Sequence, residues 1–236
     1  MTGQKYMLLF VGLFFVSFGS VAQEATVPSE GDAKYREDQF YAGVTYNLIN
    51  SAPEDVKLQG LSGGIQFGFL RDMPINARRN IAIAVGLGVS FDQYGSTLFI
   101  GESTQGETIF TSLSNETNVE YDSNRFSTAV IEVPLEFRWR SSTAEDYSFW
   151  RVYGGVRVGY AYWYKATFIQ AGNTVTQTDI PEFDQVRLAA TLSFGYSKIN
   201  FYANYAINPF FENATTTNGA QVDFKSLRLG LIFYIL

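Results

Sequence analysis

Histidine and cysteine are both absent from the 236 residues, and these two gaps remove most of the chemistry a small protein can hold. Without imidazole no Ser–His relay can be built. Without imidazole or thiolate, zinc, haem and iron–sulfur centres lose their usual ligands. No disulfide framework is possible. What remains for an enzyme is carboxylate chemistry. Asp92 and Glu102 flank a long polar segment, but the spacing of a calcium loop is missing. No catalytic residue, cofactor site or metal site is therefore expected, and a loop-borne hydrolase is the least favoured reading. Basic charge is also short: the formal charge of -6 argues against a nucleic-acid partner.

Long apolar runs are missing after the first twenty residues. Lys5 precedes an apolar stretch from Met7 to Phe18, and Ser20-Val21-Ala22 follows as a small-x-small site. Residues 1–22 read as a secretory signal peptide, with Gln23 the first mature residue. The stretch is too short to cross a bilayer as a helix. Residues 23–38 are charged, polar and patternless, as expected of a flexible periplasmic leader. The remainder, 39–236, is long enough for one domain. Its longest apolar run, Ile81 to Phe91, alternates large with small residues. A membrane protein of this sequence must therefore cross as strands.

Strand-formers are plentiful. There are 15 Tyr and 21 Phe against only 6 Pro, and aromatic residues favour β-structure. Eight segments of about ten residues carry the period of two that marks a strand. They begin near Gln39, Leu61, Ile81, Ala129, Trp150, Gln185, Ile199 and Ser226. The third is the clearest: Ile81, Ile83, Val85, Leu87, Val89 and Phe91 alternate with Ala82, Ala84, Gly86, Gly88, Ser90 and Asp92. Such lengths suit tilted strands in a membrane, and an even count puts both mature termini on one side, expected to be periplasmic.

Volume decides which face is wet. A soluble eight-stranded barrel also alternates, with its apolar face inward. An eight-stranded lumen is only wide enough for side chains to fill it. The large apolar set would overfill that lumen, whereas the opposite set of Gly, Ala and Ser with a few long ions fits. The expected fold is all-β, an eight-stranded antiparallel transmembrane up-and-down β-barrel, multi-pass in the bacterial outer membrane and in contact with its lipid.

Two groups of side chains follow. Glu132, Glu136, Arg138, Arg151, Arg157, Arg187 and Arg228 point inward as a lumenal charge network, which reads first as structural filling and second as an anion path. Phe40, Trp139, Trp150 and Phe233 at one level, and Phe91, Tyr162 and Tyr164 at the other, form the expected aromatic girdles. Residues 94–124 read as a polar outer loop, the largest exposed feature.

Several stretches carry a resemblance: REDQFYAGVTYNL from Arg36, FGFLRDMPIN from Phe67, IEVPLEFRWR from Ile131, FWRVYGGVRVGY from Phe149, NYAINPFF from Asn204 and SLRLGLIFYIL from Ser226. Together they resemble the PorT-type outer-membrane β-barrel family of Bacteroidota, within the broader porin family. The resemblance implies an eight-stranded barrel, with some members linked to type IX protein secretion, and it brings no catalytic or ligand residues. The favoured reading is a non-enzymatic barrel serving a surface or protein-export assembly through its loops and rims. Its partners would be other outer-membrane or periplasmic proteins. The alternative is a narrow porin-like channel for small solutes.

Overall fold

The computed structural model describes residues 38–115, 120–141 and 149–235. The expected signal peptide, and all of the expected leader but Asp38, lie outside the described residues. The strands are β1 (Gln39–Asn50), β2 (Gly63–Pro74), β3 (Ile81–Gly95), β4 (Leu98–Glu102), β5 (Thr108–Ser112), β6 (Ser123–Arg140), β7 (Trp150–Gln170), β8 (Asn173–Gln177), β9 (Val186–Tyr196), β10 (Ile199–Ala206) and β11 (Lys225–Ile235). The one helical piece among the described residues is a 3-10 turn, Leu113–Asn115.

Eight of these strands pair antiparallel in the ring β1–β2–β3–β6–β7–β9–β10–β11, and β11 closes back on β1. Closure leaves no open edge in the wall, which a bilayer requires. Short turns and both ends of the described chain share one end of the barrel, the turn end. Four longer connections share the other, the loop end.

The registers fix the shape. From Phe40 the pairs run through Phe69, Leu87, Val133, Val158 and Leu188, continue to Ile207 and Lys225, and return to β1 at Asn50. The return point is ten residues along, so eight strands carry a shear of ten. With ordinary strand spacings this gives a tilt of about 40° and a backbone radius of about 8 Å.

Alternation settles which face goes where. On β3, Ala82, Ala84, Gly88, Ser90 and Asp92 are buried while Ile83, Val85, Leu87 and Phe91 are exposed. The other barrel strands follow the same rule, so the large apolar side chains form the outer wall. Small residues are needed inside because the strands coil tightly. A Cβ on Gly86 would overlap the Phe69 carbonyl oxygen, and one on Gly230 that of Val44.

Three boundaries differ from the sequence reading. β2 runs on to Pro74, so Arg71 and Asp72 lie on the wall rather than in a turn. β6 starts at Ser123 and β7 reaches Gln170, lifting both above the barrel. Segment 94–124, read as a polar outer loop, contains the β4–β5 hairpin. In addition, β7 carries a bulge: Val130 pairs with Ala161 and Ala129 with Trp163, leaving Tyr162 as the extra residue. A bulge shifts the alternation by one. Beyond it Trp163 faces out, and Tyr164 faces in, reversing the expected order.

Candidate functional site

The lumen is filled in two storeys. In the upper storey Glu132 accepts from Arg157 Nη1 at 2.7 Å and from Arg228 Nη2 at 3.2 Å. Arg228 Nη1 also reaches Asp92 at 2.7 Å. Ser90 donates to Glu132 at 3.0 Å, Asn47 donates to Asp92 at 3.0 Å, and Gln66 accepts from Arg157 at 2.6 Å. In the lower storey Arg138 meets Asp72 at 3.2 Å and Glu136 at 3.1 Å, while Arg140 meets the second oxygen of Asp72 at 3.0 Å. Every group in these pairs is buried, none showing more than 8% of its side chain.

Tyrosines separate the storeys. Tyr41, Tyr153, Tyr202 and Tyr234 pack with Leu70, Ala84 and Ile232. The Arg157 guanidinium lies 5.1 Å from the Tyr41 ring centre and 5.2 Å from that of Tyr202. Arg138 lies over Tyr153 at 4.6 Å and Tyr234 at 5.8 Å. Each storey thus holds an arginine between ion partners and two ring faces, an arrangement that planar, weakly hydrated guanidinium suits better than ammonium.

The expected network is corrected in two respects. Asp72 and Asp92, not counted in it, supply half of its carboxylates. Arg187 forms no ion pair with a described carboxylate. It donates to the backbone carbonyls of Pro209 at 2.7 Å and Asn208 at 3.2 Å and lies 4.2 Å above Phe210. Arg151 is buried at the turn end with its guanidinium 4.1 Å from the Phe149 ring centre. Across the two storeys four arginines face four carboxylates, so the arginine excess is confined to Arg151 and Arg187 outside them.

Above the upper storey the loops form a second core. Val56, Leu98, Ile100, Phe110, Ile180, Phe183, Phe210, Phe211, Val222 and Phe224 are buried together, and all four long connections contribute. Phe211 is fully buried, and its ring meets those of Phe110, Phe126 and Phe224 within 5.5 Å. Tyr164 joins this core against Phe183 at 4.4 Å instead of facing lipid. Between core and network remains a cavity of about 30 Å³ lined by Asp92, Tyr94, Glu132, Arg187, Phe210 and Arg228. That is room for a water molecule or two.

On the wall, Phe40, Trp139 and Trp150 are exposed at the turn end and Phe233 is half-buried. Phe91 and Tyr162 are exposed about 20 Å higher, on the register geometry. Tyr46, Tyr160, Trp163 and Tyr205 stand near the upper level, and Tyr196 near the lower.

The family model for the outer membrane protein beta-barrel domain matches residues 21–231. The chain belongs to this family. The barrel is also similar to the solved structure of Ail, the attachment invasion locus protein of Yersinia pestis, in complex with the heparin analogue sucrose octasulfate. The two share 15% identity over 85% of this chain and 99% of that one, with a TM-score of 0.37. Comparison with curated proteins found no match.

As an outer-membrane barrel, the molecule offers solutes very little. Among the described residues no group of three or more metal-binding side chains could hold an ion. Asp92 belongs to the lumen, and Glu102 ends β4, where its carboxylate is 3.5 Å from Gln177. The two acids flanking the long segment therefore do not converge. Asp72 escaped the sequence reading because Pro74 two residues on looks like a turn. The loop core escaped because its apolar residues come from four separate connections and follow no strand period.

Proposed function

We propose that this outer-membrane barrel is a non-enzymatic, non-conducting accessory or structural component of a surface or protein-export assembly. One observation carries the reading: the lumen is packed twice over, by paired charges within the wall and by an apolar core above it. A barrel with interior room for no more than a water or two has its loops and rims left to work with. The same packing weighs against the channel. Longer loops outside and short turns in the periplasm is the habit of bacterial barrels; on that habit both mature termini are periplasmic. The two aromatic levels then sit at the two interfaces of the bilayer. The PorT-type stretches support the secretion-like setting.

The test is photo-crosslinking in the native membrane from Gln105 in the exposed β4–β5 turn and from Arg78 in the β2–β3 turn. The reading predicts that at least one position captures a defined outer-membrane or periplasmic protein. Adducts with lipid alone from both positions contradict it.

A further inference from the structure

At the top of the wall the outward face changes from apolar to cationic over one small sector. Trp163 and Lys165 succeed each other on the outer side of β7 past the bulge, paired with Ala129 and Ser127 of β6, and Arg125 pairs with the buried Thr167. Arg125 and Lys165 are therefore diagonal neighbours, close enough for one anion to reach both. On the register geometry they stand about 5–10 Å above the upper aromatic level. Neither forms an ion pair with a described carboxylate. Lys165 Nζ lies 5.7 Å from the Trp163 ring centre, and both cations are half-buried.

Beside Arg125 opens a cavity of about 440 Å³. Gln59, Leu61, Gln93, Ser123 and Arg125 line it, all on the outward side, with Tyr121 and Asp122 at its upper edge. Tyr121 donates to Gln59 at 2.6 Å and Gln93 donates to the Leu61 carbonyl at 3.0 Å, so the walls are held by their own bonds. Leu61, 78% exposed, gives the cavity an apolar lip. Below it the outer wall continues with Phe91, Ile131 and Tyr160 toward the bilayer centre.

We propose that Arg125 and Lys165 bind the phosphate of a phosphorylated glycolipid. The cations take the phosphate, Asp122 and Gln59 accept from sugar hydroxyls in the cavity, and the acyl chains descend along Leu61, Phe91 and Ile131. Depth selects lipid over a soluble anion, because the cations sit just where a headgroup lies when the wall below is in hydrocarbon. The site rests on the membrane span and not on any protein partner, so it stands whether or not the accessory role does.

The test is native mass spectrometry of the full chain released from phosphatidylcholine nanodiscs doped with an acylated glucosamine phosphate. Wild type is expected to retain one such lipid. Arg125→Gln and Lys165→Gln should each lower retention about fivefold and the pair about 30-fold, while the exchange R125K/K165R holds it within about threefold. The single variants keep the test standing if the double variant does not fold. Retention unchanged in the Gln variants overturns the site. So does equal retention of the same lipid without its phosphate, and displacement by inorganic phosphate would make it a free-anion site instead.

Discussion

At the residue scale, Glu132 is a carboxylate shared by two arginines, Arg157 and Arg228. Removing one partner of a buried ion pair leaves an uncompensated charge and costs about 3–5 kcal/mol. Glu132→Gln should destabilise the barrel by that order in urea titrations in lipid bilayers. Asp92→Asn should cost less, because Arg228 keeps Glu132. Glycine is tested at Gly88, where a Cβ would collide with the Tyr41 hydroxyl. Gly88→Ala should cost about 1–3 kcal/mol in the same titration, and Tyr41→Phe should recover part of it by removing the oxygen. If the double variant is no more stable than Gly88→Ala, the Tyr41 contact is not the cause. The inward charges on β6, β7 and β11 were legible from the period of two. Their pairing was not, because Asp72 and Asp92 reach their arginines across 66 and 136 residues of chain, a distance no local pattern spans.

At the scale of elements, the β7 bulge decides whether the barrel and its loop core fit together. Without the shift at Tyr162, Tyr164, Ala166 and Phe168 would face away from the core they now join. Alternation read from the sequence carried Tyr164 to the lipid face because an inserted residue leaves no mark in composition. All eight wall strands, by contrast, were readable, since each keeps its parity for at least eight residues. Deleting Tyr162 should be tolerated, because Trp163 and Ala161 keep their present partners and faces. Deleting Val158, in the regular part of β7, turns every later side chain to the wrong side. Folded yield, read from heat-dependent gel mobility, should be near wild type for the first and close to nil for the second. Similar yields for both would remove the bulge from the account. Within the loop core, Phe211→Ala should cost about 3–5 kcal/mol. The loss should show as faster proteolysis of the loop end, with the strands still protected.

For the whole molecule, the wall and the contents of the barrel answer two different demands. Hydrocarbon requires a closed hydrogen-bond ring and a greasy exterior; a radius of about 8 Å then leaves the interior to be filled by side chains or water. This sequence fills it with paired charges, tyrosine faces and a lid of phenylalanines. Steady-state recording of the purified protein in planar bilayers tests that claim most directly. The account predicts a silent membrane at moderate voltage, with conductance emerging only when Arg228 and Glu132 are truncated together with the β4–β5 hairpin. Reproducible unitary currents from the unaltered protein would mean that the interior is open, and the filled-barrel account would be wrong.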